Sequence, residues 1–251
     1  MKRYALILAL TLLYLPSAFA QDLTALEIIQ KADAVMKGTK SSSAVMKITT
    51  ERPKWSREMT IKSWSLGDDY SMMLVTDPPK EKGTAFLMID KEVWNWIPSL
   101  DRNIKMPPSM MMQSWMGTDL TNDDLVQQSS IVTDYHHKLL GKEDIEGRTC
   151  YKLELIPKED AAVVWGKIVV WVDVEEYFQM RTEFYDEDEE LVNVMQASDV
   201  KMMGGRRVPA RLEVIPQDKK GQRTILEYVS LEFDIDIDKS FFTVQQMKRL
   251  K

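Results

Sequence analysis

The chain has 251 residues, of which 29% are charged and 44% hydrophobic, proportions of a folded domain that exclude extended disorder and collagen-like repeats. A net charge of −6 argues against nonspecific nucleic-acid binding, which needs a basic face, and two histidines with one cysteine exclude most zinc, haem and thiol chemistry. Methionine is the outlier, with 17 residues against ten each of glycine and proline.

Met1-Lys2-Arg3, an apolar run from Ala5 to Leu15, and Ala18-Phe19-Ala20 read as a signal peptide over residues 1–20, cleaved after Ala20. A spanning helix needs roughly 20 apolar residues, more than this run supplies. Residues 21–251 are then expected to form one exported domain. Export favours disulfides, but Cys150 has no partner in the chain and lies in an alternating run, so it reads as a small buried strand residue.

Residues 22–38 read as a helix, with Leu23, Leu26, Ile29 and Met36 near helical spacing and Gly38 as a stop. The period then changes to two. Ala44, Met46 and Ile48 start the first strand, followed by candidates at 56–66, 70–76, 84–89 and 93–97. Residues 99–130 lose the alternation. Within them, 109–116 are expected to form a short helix and Thr121-Asn122-Asp123-Asp124 the capped start of another. Strands resume at 135–140, 149–156, 167–172, 179–185, 191–200, 207–215 and 223–233, with Gly141-Lys142 among the intervening turns, and residues 238–250 suggest a short helical turn. The fold class expected is mainly β (α+β): a curved antiparallel sheet or incomplete β-barrel around the helices.

Catalytic and metal chemistry find little support. His136 and His137 are strand neighbours pointing to opposite faces, so they cannot easily grip one metal. No nucleophile elbow, zinc-helix motif or phosphate-cradling glycine loop is present. Asp234, Asp236 and Asp238 alternate as though on one face of a strand, a solvated edge rather than a calcium loop.

The apolar residues say more. On a helix Met111, Met112, Trp115 and Met116 would share one face. Such a face is either ordinary core or a movable lid, and the richness in methionine, which adapts to changing partners, favours the lid. Trp94 and Trp96 share a strand face, as do Met72 with Leu74 and Phe86 with Met88. A curved sheet presenting these side chains would wall an apolar pocket under the lid.

Several ordered blocks resemble the LolA-like outer-membrane lipoprotein-sorting proteins of bacteria. They are Gly83-Thr84-Ala85-Phe86-Leu87, Trp94-Asn95-Trp96 with Pro98, and Arg102. The most specific runs from Ser114 through Met116-Gly117-Thr118-Asp119 to Leu125. Then follow Ile145-Glu146-Gly147, Trp171-Val172-Asp173, Gly204-Gly205-Arg206, Val208-Pro209 and Phe242-Thr243. The resemblance covers roughly residues 80–250. It implies a LolA/LolB-like half-barrel with a helical lid, in a periplasmic, non-enzymatic carrier without cofactor or metal that shields acyl chains of lipoproteins or free lipid. Proteins resembling this branch are also associated with inner-membrane exporters, so such a transporter is an expected partner. A non-catalytic adaptor for an exporter of the resistance-nodulation-division type is the alternative function.

Overall fold

The computed structural model describes residues 23–37, 40–126 and 130–250. The expected signal peptide lies outside them, as does Gly38. Helix α1 (Ala25–Lys37) begins one residue after Thr24, which closes a capping box. Thr24 N–H donates to Glu27 Oε2 at 2.8 Å, and Glu27 N–H returns a bond to Thr24 Oγ1 at 3.2 Å. Ile28, Ile29 and Ala32, at helical spacing, are buried.

The strands are β1 (Ser41–Arg52), β2 (Trp55–Leu66), β3 (Tyr70–Asp77), β4 (Ala85–Ile89), β5 (Glu92–Ile97), β6 (Arg102–Met106), β7 (Tyr135–Ile145), β8 (Arg148–Pro157), β9 (Lys167–Asp173), β10 (Gln179–Tyr185), β11 (Leu191–Met203), β12 (Arg206–Pro216) and β13 (Arg223–Phe233). All belong to one antiparallel sheet ordered β6-β5-β4-β3-β2-β1-β13-β12-β11-β10-β9-β8-β7. The chain walks outward from β1 to β6, crosses to the far edge at β7, and walks back until β13 pairs with β1. The sheet is therefore open, with β6 and β7 as its two edges. A sheet this wide does not stay flat. Register breaks at Val45/Met46, Leu139/Gly141 and Phe184/Tyr185 add local bends.

Crossing from β6 to β7 forces residues 107–134 over one face of the sheet, the inner face, which α1 also covers. Ile28, Ile29 and Ala32 pack there on Tyr135, Leu153, Ile168 and Val170. The crossing segment packs on β1 to β6, with Met111, Trp115, Leu120 and Val126 buried among Met73, Val75, Phe86 and Met88. On the outer face, helix α3 (Val244–Arg249) and Phe242 cover β3 to β5. Thr243 caps α3 by accepting from Gln246 N–H at 3.1 Å. Cys150 is buried on β8, as its alternating context implied, and burial raises its thiol pKa to about 11.

Four local expectations need correction. Strand β6 was not apparent because four of its five residues are exposed, leaving no apolar alternation. Gly141-Lys142 is no turn: Gly141 sits at a bulge with φ +142°, and β7 continues to Ile145. Residues 109–116 form no α-helix. Pro108–Met110 and Trp115–Gly117 are single 3₁₀ turns, and Trp115 N–H bonds forward to the Leu120 carbonyl at 2.8 Å, while Ser114 bridges to Thr121. The row of aspartates is likewise not on a strand, since β13 ends at Phe233. Asp234 instead accepts from Lys40 N–H, and Asp238 from Ser240 N–H. The second helical expectation agrees with α2 (Asn122–Val126), where Thr121 and Asp124 exchange capping-box bonds of 2.8 and 3.1 Å.

Candidate functional site

Helix α1 and the crossing segment do not fill the inner face. Between them and strands β1, β10, β11, β12 and β13 lies a cavity of about 230 Å³, walled by Val35, Met36, Met46, Leu120, Leu212 and Leu226. A second, of about 200 Å³, reaches toward Trp165, Ile168 and Phe184, and shares Asp33, Lys37, Asp124, Gln179, Thr182 and Met195 with the first. A third, of about 100 Å³, shares Met36, Met46, Leu125 and Tyr228 with the first. Each alone is small beside typical ligand sites, but the shared walls make one branched apolar interior.

The ten residues expected to form a lid and its wall do not meet around this interior. Phe86, Met88, Met111 and Trp115 belong to one buried cluster on the inner face, with Met116 packed against it. Met72, Leu74 and Trp96, with Trp94 beside them, lie on the opposite face under α3. Strand register explains the split. Met72 stands opposite Leu87, which stands opposite Trp94, whereas Phe86 stands opposite Met73. Alternation fixes which residues of one strand share a face, but it does not fix which face. Met112, expected on the lid's apolar face, is 61% exposed. None of the ten lines the first cavity; Met72 reaches the third one. The residues that do line it carried a readable signal: Ala32, Val35 and Met36 share a helical face, and Leu226 alternates with Tyr228 on β13.

Polar groups gather on one side of the interior. Lys37 Nζ pairs with Asp33 at 3.0 Å and with Asp68 at 2.9 Å. Burial raises the Asp33 carboxyl above its ordinary value, against the pull of Lys37. Asp124 is pushed up to about 6 by burial, against the Thr121 hydrogen bonds that favour its ionised form. Because the folded value exceeds the ordinary 3.8, its contribution to stability is complete below the unfolded value and is lost as pH rises through about 6. Asp124→Asn keeps an acceptor for Thr121 and cannot ionise. Relative to wild type it should gain on the order of 2 kcal/mol between about pH 4 and pH 8. Urea unfolding at both pH values measures this, and a constant difference would show the carboxyl to be well solvated.

The cover over the interior is tied to the sheet at its tip. Arg52 of β1 forms a two-point ion pair with Asp119, Nη1 to Oδ2 at 2.9 Å and Nη2 to Oδ1 at 3.0 Å. Arg52 Nη2 also donates to the Gly117 carbonyl at 3.1 Å. Thr224 Oγ1 donates to Asp119 Oδ2 at 2.7 Å, and Asn193 Nδ2 donates to the Asp119 carbonyl at 3.1 Å. The Arg57 guanidinium donates to the carbonyl of Met116, whose φ of +47° precedes Gly117 at +79°. Together these contacts turn the chain back on itself above β1 and β13.

The histidines stand apart from this interior: His137 Nε2 lies 2.6 Å from the Ile131 carbonyl oxygen, and His136 is exposed. Among the described residues, no three His, Cys, Asp or Glu side chains are placed to hold a metal, and no helix is long and apolar enough to cross a membrane.

One open antiparallel sheet, closed over an apolar interior by a helix and a crossing segment, defines a LolA-like half-barrel. The model of a LolA-like family, described as "Uncharacterized protein", matches residues 67–249, and the chain belongs to that family. Among solved structures, a domain from Vibrio parahaemolyticus described as an outer membrane lipoprotein-sorting protein is 24% identical, with 90% of this chain and 98% of that one covered and a TM-score of 0.79. A DUF1329 family protein from Desulfovibrio piger is 22% identical over 89% and 97%, with a TM-score of 0.80. A LolA superfamily protein from Nitrosomonas europaea is 25% identical over 89% and 99%, with a TM-score of 0.78. No curated protein sequence matches the chain significantly.

Proposed function

We propose that this protein is a non-enzymatic carrier that holds the acyl chains of a lipid or lipoprotein and ferries them across the periplasm toward the outer membrane. The observation that carries this reading is the branched apolar interior between α1, the crossing segment and the sheet. Its walls are methionine and leucine from separate elements, which suits a chain of variable length better than a ligand of fixed shape. Each buried CH₂ contributes about 0.8 kcal/mol, so a long chain offers affinity from apolar contact alone. The lipoprotein-sorting description of the Vibrio domain agrees with such a role, and export after removal of residues 1–20 would deliver the protein to the compartment where it is needed.

The test is mass spectrometry of lipid extracted from protein purified out of the periplasm, for wild type and for Leu212→Trp. The added indole would occupy space that ligand carbons need. Excluding even two CH₂ groups costs about 1.6 kcal/mol, more than tenfold in affinity. The wild type should carry acyl lipid and the variant much less at equal folded fraction. Wild type without lipid, or a folded variant with an undiminished load, would overturn the carrier reading.

A further inference from the structure

The third cavity is lined in part by Ser42, Ser63, Ser65 and Ser71; around the first two, the sheet's inner face is mainly apolar, with an exception on β10. The register between β10 and β9 slips between Gln179 and Arg181. Gln179 stands opposite Val172, and Thr182 opposite Val170, both inner-face residues of β9. The slip therefore turns two polar side chains, three positions apart, to the same face, which a regular strand would not do. Both line the first and second cavities where these adjoin.

Thr182 is 6% exposed and lies between Val170 on one side and Met195 on the other. Its hydroxyl makes no hydrogen bond among the described residues, nor does the side-chain amide of Gln179 or the hydroxyl of Tyr228 in the first cavity. Although the residue is buried, its hydroxyl is open to the cavity, and valine would fill the same volume without a polar atom to satisfy. Packing alone gives no reason for threonine at this position. A polar group entering the cavity does.

The charges restrict what that group can be. Among the described residues Lys37 is the only cation that lines these three cavities, and it is already paired with both Asp33 and Asp68. The carboxylates of Asp33 and Asp124 face the same space. No unpaired cation there can receive a phosphate, and the carboxylates would repel one.

We propose that Thr182 and Gln179 form a headgroup subsite for the uncharged polar end of an acyl lipid, a glyceryl ester, hydroxyl or amide, and that the subsite rejects anionic headgroups. This rests on the carrier reading and names the class of cargo. An N-acylated or diacylglyceryl end meets the description, and a phospholipid does not.

The experiment compares delipidated protein binding monopalmitoylglycerol, its phosphate ester and the apolar dye N-phenylnaphthylamine, for wild type, Thr182→Val and Gln179→Leu. The uncharged glyceride should bind at least about tenfold more tightly than the phosphate ester, which shares its chain and glycerol. Thr182→Val should weaken the glyceride roughly three- to tenfold, the worth of one neutral hydrogen bond, and leave the dye unchanged. Gln179→Leu should act in the same direction, so the outcome does not hang on one variant folding well. Dye binding with no preference between the two lipids, or two folded variants that hold the glyceride as well as wild type, would overturn the headgroup subsite alone. Failure of dye and both lipids to bind would overturn the carrier reading and the subsite with it.

Discussion

Asp119→Ala should destabilise the protein by about 3–5 kcal/mol, the cost of stripping one partner from a buried ion pair. The side chains of Arg52 and Asp119 are only 11% and 4% exposed, and the pair is two-pronged, so this is not a solvent-screened surface bridge. Alanine would leave the guanidinium buried without its counter-charge and deprive Thr224 Oγ1 of its acceptor. Asp119→Asn, which can still accept from Thr224, should cost less. Arg52→Ala combined with Asp119→Ala should cost less than the two single losses added together, because the second change removes the orphaned charge. Denaturant unfolding of the four variants measures each value. A loss below about 1 kcal/mol for Asp119→Ala would class the pair with ordinary surface bridges and leave the cover without its principal tie. If the loss is as large as expected, lipid retention should fall with it, because Leu120, the next residue, forms part of the cavity wall.

Asp119 belongs to the Met116-Gly117-Thr118-Asp119 block, the most specific stretch in the sequence, yet nothing in the sequence alone says what that block does. Its partners lie far away in the chain, at Arg52, Asn193 and Thr224. Such pairings follow from sheet order, in which β13 returns to lie beside β1, and local pattern carries no information about that. What local pattern does carry is alternation, and the strands with one apolar face were legible almost to their ends. Strand β6 was not, since it is a mostly exposed edge. The cavity wall was missed for a related reason. Met72 with Leu74 and Phe86 with Met88 are each correctly paired on their own strands, but the pairs sit one residue out of phase across the β3–β4 ladder, and one residue is the difference between two faces. The methionine cluster misled in another way. Its spacing permits a helix, but hydrogen bonds from Trp115 N–H forward to the Leu120 carbonyl and from Asn122 N–H back to the Gln113 carbonyl make a compact hairpin-like loop instead. Met111 and Trp115 are core, and the residues that roof the cavity, Leu120 and Leu125, lie outside the run expected to form the lid.

Trp115→Ala should cost about 3–5 kcal/mol, the range for removing a large aromatic side chain from a core. Trp115 is fully buried, with its ring centroid 6.0 Å from that of Phe86 at an interplanar angle of 51°. It joins the crossing segment to the inner face of β4, and alanine would open a hole that the two short 3₁₀ turns around it cannot easily collapse to fill. The conservative change should behave differently. The indole Nε1 is buried with no hydrogen-bond partner in the described structure, a penalty of about 1–3 kcal/mol already present in the wild type. Trp115→Phe removes that unpaired donor together with part of the ring, so the relief offsets much of the lost packing, and the net change should stay within about 1 kcal/mol. Thermal and urea unfolding of both variants distinguish the cases. A phenylalanine variant as damaged as the alanine one would mean that the indole N–H is satisfied in solution. An alanine variant of nearly wild-type stability would mean that the cover rests on the sheet without being part of its core. A cover held by Trp115 and Asp119 at its tip, and lined with softer leucine and methionine contacts toward α1, can yield around a ligand at one end while staying attached at the other. That arrangement lets a carrier admit and surrender cargo without unfolding.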